Sequence, residues 1–349
     1  MHQGASIVSN NVFAALSGAV GSPPEHYGNP LGEQRALAAS EAVVSLDDRG
    51  VIALTGPDRL SWLDSLTSQA LTGLKPGESA ETLQLDPNGR LEYAIRIVDD
   101  GETAWLLVDG GETAGLLKWL QRMKFMLNVD ILDRTSEFST VGSLGLPVTG
   151  AAVVWTDPWN TVTRGGHQYA DAAHEYHWNY TESLVPRAAL AAQPAAGTLA
   201  LEALRIAAWR PRFATEVDER SIPHELDWLR SAVHLSKGCY RGQETVAKVH
   251  NLGHPPRRLV MLHLDGVTPA TGAPVMLGDA EVGRVTSAAM HFELGPIALA
   301  VVKRSTALGD LTVLVDESPV AAAQELIVPP SAGAEANVPR LPRLGAVQR

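Results

Sequence analysis

Three features of the sequence predict an α+β protein that ends in a small all-β module. Strand, hairpin and helix signals alternate over residues 43–124, the pattern of an α+β domain. After Arg258 only short β-like runs with turn residues between them remain, as in a β-module that is closed or nearly closed to hide its edges. The chain has 349 residues, 45% of them hydrophobic, enough for two or three compact units at ordinary domain sizes.

In order along the chain, residues 1–32 mix small residues, prolines and glycines and read as an extended lead-in. Residues 43–46 and 50–54 are β-prone and flank Asp47-Asp48-Arg49, which predicts a hairpin. Pro57 suits a first helical turn, and Leu60, Leu63 and Leu66 recur on one side of a helix over 58–66. Residues 81–85 and 91–98 flank Asp86-Pro87-Asn88-Gly89, a hairpin in which Asn-Gly supplies the positive φ angles the turn needs. A strand over 104–108 and a helix over 113–124, with Leu116, Leu117, Leu120 and Met123 at helical spacing, complete this unit. Residues 151–185 carry too weak a pattern to assign. Thr198 is a candidate cap for a helix with an apolar stripe of Leu201, Leu204 and Ala208, stopped by Pro211. Short β-runs follow at 259–264, 274–277, 280–287, 297–302 and 311–315, and the stretch after 328, rich in Pro, Ala and Gly, is expected to be a disordered tail.

The formal charge is 28 − 39 = −11, and no basic run beyond Arg257-Arg258 stands against it, so direct nucleic-acid binding is not expected. The single cysteine, Cys239, excludes an internal disulfide framework and a multi-thiolate metal site. No signal peptide or spanning segment is expected, and the cytoplasm is the expected compartment.

The densest chemistry lies in Lys237-Gly238-Cys239-Tyr240-Arg241-Gly242-Gln243-Glu244. Two glycines allow the backbone to turn tightly and come close to another group. Around them stand an ammonium, a thiol, a phenol, an amide and a carboxylate, which suit a flat polar heterocycle with an acidic tail. The same residues also suit a plain turn with a buried thiol and solvated charges. Composition leaves both readings open.

The octapeptide resembles the K-G-C-Y-x-G-Q-E signature of the YgfZ/GcvT family of folate-binding proteins. Flanking segments extend the likeness over about residues 45–328. Ala203-Leu204-Arg205-Ile206-Ala207-Ala208-Trp209-Arg210-Pro211 resembles the family's helix ending in L-R-I-E-A-G-x-P, and Ile222-Pro223-His224-Glu225 its I-P-x-E. Gly283-Arg284-Val285-Thr286-Ser287 is similar to the G-x-V-T-S of its C-terminal barrel, and the segment from Gly56 to Thr67 to its first helix. The resemblance implies a three-domain ring of two α+β domains and a small C-terminal β-barrel. The boundaries it implies are a lead-in at 1–32, two interleaved domains over 33–255 (one of them about 47–135), a barrel at 256–328 and a tail at 329–349.

It also implies tetrahydrofolate, or another reduced folate, as cofactor, and a role in supporting iron–sulfur enzymes or their assembly, tRNA-modifying ones included. Lys237, Cys239 and Tyr240 fall on the signature's functional positions. Gly238, Gly242, Gln243, Glu244, Arg205 and Tyr93 are the further expected folate contacts. Two alternatives stand beside this: a folate-dependent aminomethyltransferase or demethylase, and a folate-independent docking adaptor. The first lacks support where the T-protein's aspartate pair is matched by Gly89-Arg90-Leu91-Glu92-Tyr93-Ala94, and Ala207 and Trp209 replace a family Glu and Gly. Asp109-Gly110-Gly111-Glu112-Thr113-Ala114-Gly115 lacks full dinucleotide spacing and reads as a strand-to-helix turn. His174-Glu175-Tyr176-His177 lacks a third ligand, so no metal site is expected and solvated histidines are favoured.

Overall fold

The computed structural model describes residues 12–171, 174 and 177–336. The first eleven residues of the predicted lead-in and residues 337–349 of the predicted tail lie outside that set. In chain order come α1 (Pro30–Ala38), β1 (Val43–Ser45), β2 (Arg49–Thr55), α2 (Arg59–Leu66), β3 (Ser79–Leu85), β4 (Leu91–Asp99), β5 (Thr103–Asp109) and α3 (Thr113–Met123). They are followed by β6 (Asp130–Asp133), β7 (Phe138–Leu144), β8 (Val153–Thr156), β9 (Tyr180–Pro186), β10 (Ala195–Ala196) and α4 (Thr198–Ala207). Two single-turn helices, α5 (Phe213–Glu216) and α6 (Leu229–Ala232), precede α7 (Gln243–Leu252). The last strands are β11 (Arg257–Leu264), β12 (Pro274–Leu277), β13 (Ala280–His291), β14 (Gly295–Lys303), β15 (Leu311–Val315) and β16 (Ser318–Leu326).

One sheet has the order β3-β4-β5-β2-β6 and another β10-β1-β7-β9-β8. Strand alternation gives the first sheet two apolar faces. Ile52, Leu54, Ile95, Ile97, Leu106 and Val108 pack against Leu63 of α2 and Leu116 and Leu120 of α3. The opposite parity, Val51, Ala53, Leu83, Val98 and Leu107, enters a core shared with Trp155 and Leu184 of the second sheet and Ala200 and Leu204 of α4.

The hairpin predicted at Asp47-Asp48-Arg49 does not form. β1 pairs with β7 and β10, whereas β2 pairs with β5 and β6. Arg49 accounts for the crossing: its guanidinium contacts Asp109 at the end of β5 and Glu182 on β9 (3.0 Å), holding the chain where it leaves one sheet for the other. The predicted hairpin at Asp86-Pro87-Asn88-Gly89 does form, with Gly89 at φ +78° and the Asp86 carboxylate accepting from the Asn88 and Arg90 amides.

The unassigned stretch contains β8 and β9. Asp157 organises the loop between them by accepting from the Trp159 amide and the Trp178 indole. At α4 the cap residue is Gly197, not Thr198. A side chain at 197 would strike the lead-in backbone, because Pro24 and Glu25 carbonyls accept from the Thr198 and Leu199 amides. The C-terminal strands form a closed barrel, β11-β14-β13-β12-β15-β16, filled by Val260, Leu262, Ala298, Ala300, Val302 and Val313. β16 was not predicted, since its run of alanines carries little strand propensity. Residues 331–336 lie along the end of α7, where the Glu335 and Ala336 amides donate to the His250 and Asn251 carbonyls. Among the described residues no helix is long and apolar enough to cross a membrane.

Two buried arginines tie the units together. Arg210 donates to Glu81 of β3 (2.6 Å) and to Asp157 (2.9 Å), and its guanidinium lies over the rings of Trp159 and Trp228. Arg205 on α4 contacts Glu202, Glu216 of α5 (3.0 Å) and Ser287 of the barrel (2.7 Å). Replacing Arg210 by Met leaves two buried carboxylates without their cation, so Arg210→Met is expected to lower stability by roughly 3–5 kcal/mol in urea denaturation. A loss indistinguishable from that of a surface Arg→Met change would show that the two sheets are held by other contacts.

Burial alone would raise the Glu202 carboxyl, but Arg205 and Arg212 hold it at about 2, below the ordinary 4.5. Its folded pKa is depressed, so the stability it contributes is present above pH 4.5 and is lost as pH falls through about 2. The parent is therefore expected to exceed Glu202→Gln by about 2–3 kcal/mol near neutrality. That gap closes across this acid window in denaturant titrations at stepped pH.

Candidate functional site

The signature loop joins α6 to α7, and its chemistry is turned largely toward the protein's own backbone. The Lys237 ammonium donates to the carbonyls of Asp64, Thr67 (2.9 Å) and Gln69 (2.7 Å), at the end of α2. Its three protons are thereby matched with three acceptors. Its side chain is only 4% exposed. Tyr240 is buried beneath it, with the ammonium 5.4 Å from the ring centroid, and burial pushes the phenol's pKa up. Cys239 and Gly238 are exposed, and the Lys237 ammonium is bonded to the three carbonyls rather than to the thiol.

Gly242 has φ +84°, and a side chain there would meet the Asp86 carbonyl at 2.7 Å and the Cα of Gly89 at 3.0 Å. The loop therefore rests on the β3–β4 turn through two glycines in contact. Gln243 opens α7 and donates to the Lys237 carbonyl, while Glu244 faces outward.

A separate cavity of about 260 Å³ lies between the units. Its walls come from the lead-in (Ser22, Pro23, Glu25), the sheet crossing (Asp48, Arg49), Arg96 of β4, Asp157, Trp178 and Tyr180, and α4 with the residues after it (Glu202, Arg205, Arg210, Arg212). Of the residues predicted to meet the ligand, Arg205 alone lines it. Lys237, Gly238, Cys239, Tyr240, Gly242, Gln243 and Glu244 lie outside it, because the octapeptide packs on α2 and the hairpin tip. Tyr93 belongs to the helix-covered face of β4, with its hydroxyl against Gly115 and its ring stacked near Phe213 at 6.4 Å. Glu92 accepts from Gln84 (2.6 Å) and approaches Arg241 (3.7 Å), also away from the cavity.

The cavity is a mosaic of guanidinium and carboxylate groups beside one aromatic wall. Trp178 and Tyr180 stack at 4.8 Å. Burial, with the neighbouring Arg49 next, lowers the pKa of Arg96, and burial raises that of Asp157 against the pull of Arg210. Such a surface can hold a flat molecule that both donates and accepts hydrogen bonds. Sequence reasoning missed Arg96, Asp157, Trp178 and Arg212. The one local signal was Trp209-Arg210-Pro211-Arg212, two arginines beside a proline that ends the helix.

The remaining motifs have structural roles. Asp109 ends β5, a 3-10 turn spans Gly110–Glu112, and α3 starts at Thr113, giving the strand-to-helix turn. His174 is not a solvated side chain: it stacks on Trp209 at 3.5 Å, and its Nε2 lies 2.8 Å from the Ala207 carbonyl. His177 is exposed, while Glu175 and Tyr176 lie outside the described residues. Among the described residues no group of three or more His, Cys, Asp or Glu side chains is placed to hold a metal ion.

Residues 257–326 match the family of the glycine cleavage T-protein C-terminal barrel domain. An aminomethyltransferase of Symbiobacterium thermophilum is 25% identical over 296 residues, covering 76% of this chain and 78% of that protein. The tRNA-modifying protein YgfZ of Vibrio vulnificus is 25% identical over 240 residues, covering 66% of this chain and 72% of that one. The crystal structure of the glycine cleavage system aminomethyltransferase T from Bartonella henselae has the same fold, with a TM-score of 0.72 at 17% identity over 91% of this chain and 96% of that one. In its barrel-domain match, its aminomethyltransferase and YgfZ relatives and its fold, the chain is similar to proteins of the YgfZ/GcvT family.

Proposed function

We propose that this protein binds a reduced folate, tetrahydrofolate or a close derivative, in the cavity between its units. The observation that carries the reading is the lining itself: an aromatic wall of Trp178 and Tyr180 beside alternating guanidinium and carboxylate groups. A pterin ring offers a flat face, ring N–H and amino donors, and a carbonyl acceptor. Glu202 and Asp157 are acceptors for such donors, and Arg96 and Arg212 are donors for such an acceptor. The volume of about 260 Å³, below the ~300 Å³ at which typical ligand pockets begin, suits one end of an extended molecule. When bound, a reduced folate supplies a carrier for one-carbon units.

The residues of the chain hold and orient that ligand and keep water from it. Ser22, Pro23 and Glu25 of the lead-in form one part of the wall, and the Arg205 network fixes another part against the barrel. In this reading the signature loop is a support: Lys237 fastens the end of α2, and Gly242 seats the loop on the hairpin. Cys239, exposed at its tip, is available to a partner protein. The finer role is support of iron–sulfur enzymes in the cytoplasm, tRNA-modifying ones among them, for which the YgfZ relatives and the open thiol speak. The aminomethyltransferase relatives favour a second reading, transfer of a one-carbon unit from an amine. Formation of methylenetetrahydrofolate with release of ammonia from an aminomethyl donor, or of methyltetrahydrofolate and the demethylated amine from an N-methyl donor, would establish that reading.

Titration of tetrahydrofolate read by the protein's tryptophan fluorescence, to which Trp178 in the cavity wall contributes, tests the first. Saturable binding is expected in the parent, and Arg205→Ala, which removes a wall and a cluster of charged hydrogen bonds, is expected to weaken it at least about tenfold. Lys237→Ala is expected to leave affinity within about threefold while lowering the unfolding midpoint, since it abandons three buried carbonyls. No binding by the parent would remove the folate reading and leave a folate-independent adaptor as the better account. Restoration of iron–sulfur enzyme activity by the parent gene, and not by Cys239→Ser, in cells lacking the gene is the expected result for the finer role.

A further inference from the structure

Three of the cavity's arginines are fully engaged, each by two carboxylates: Arg49 by Asp109 and Glu182, Arg205 by Glu202 and Glu216, and Arg210 by Glu81 and Asp157. Arg96 differs. Its nearest carboxylates, Glu182 at 3.4 Å and Asp109 at 3.8 Å, already serve Arg49, and among the described residues its guanidinium makes no hydrogen bond. It is held in place by packing over the Trp155 ring at 5.7 Å and is 14% exposed, toward the cavity. A buried guanidinium cannot shed its proton, so free donors there ask for an acceptor from whatever fills the space. Around the cavity stand the carboxylates Glu25, Asp48, Asp157 and Glu202 and, besides Arg96, four arginines, of which Arg49, Arg205 and Arg210 are engaged as above and Arg212 lies 3.5 Å from Glu202. Those carboxylates offer acceptors to N–H donors.

Resting on the folate reading, we infer that Arg96 is the specificity-determining residue for the pterin ring: it donates to the 4-oxo group while the carboxylates accept from the ring N–H and 2-amino groups. Replacing the 4-oxo acceptor by a 4-amino donor sets donor against donor at Arg96, a mismatch a hydrogen-bonding site rejects strongly.

The test is the ratio of affinities for tetrahydrofolate and its 4-amino (2,4-diamino) counterpart, read by fluorescence titration of the full chain. The parent is expected to prefer the 4-oxo compound by about 100-fold or more. Arg96→Gln, whose amide can donate or accept, is expected to bring the ratio to within about threefold of unity, and Arg96→Lys, which still donates, to keep most of it. A purely structural role would weaken both ligands alike and leave the ratio unchanged, which overturns the inference while the folate reading stands. N-(4-aminobenzoyl)glutamate alone is expected not to bind. If it binds and Arg96→Gln abolishes that, the acidic end is the one recognised and the inference falls. Should the parent bind neither pteridine, the folate reading itself fails. Thermal unfolding of each variant accompanies the titrations, and Arg96→Lys carries the test if Arg96→Gln does not fold.

Discussion

The architecture depends on Arg210, a guanidinium buried between two carboxylates and two indole rings. Neither sheet supplies the whole site. Glu81 comes from β3 of one and Asp157 from the end of β8 of the other, both accepting from Arg210, while Trp228 and Ser231, from the segment that leads toward the signature loop, donate to Glu81. Two buried anions near one cation are tolerable only when every partner is in position, so the contact contributes uniqueness of arrangement more than net stability. Arg205, five residues earlier, repeats the device toward the barrel. Between them Trp209 adopts φ +57°, a conformation that an ordinary side chain enters at a cost of about 1–2 kcal/mol. Its indole is buried and meets Met261 of β11 at 3.2 Å, which shows what offsets that cost. A short run of chain thus joins three units and lines the cavity between them.

What could be read in the sequence was what is local. Asp86-Pro87-Asn88-Gly89 specifies its own turn, and α3 declares itself because Leu116 and Leu120 face one sheet. β1 and β2 misled because each is buried by partners far along the chain: β1 takes β7 and β10, and no turn chemistry at Asp47-Asp48-Arg49 reports that Glu182 will pull the chain aside. β8 and β9 were invisible for a related reason, since the loop between them is organised by one aspartate and two tryptophans rather than by periodicity. β16 is a strand by position, closing a barrel whose other members demand a partner.

The site was legible only in part. The octapeptide drew attention because many chemical types stand close together in it, yet its lysine is engaged with three carbonyls and its phenol lies in the core. The cavity gathers residues from positions 22 to 212, and single charged residues on strands, such as Arg96, look like any half-exposed side chain until the fold is known. Arg205 sits on a helix that the apolar stripe announces, and its place is double: it lines the cavity and bolts the barrel to α4.

The bare contact between Gly89 and Gly242 ties the evolutionary freedom of two distant segments to each other. A methyl group on either backbone has nowhere to go unless the facing chain retreats, so the turn and the loop must drift in concert or not at all. Sequence variation in one of them is therefore a record of geometry in the other.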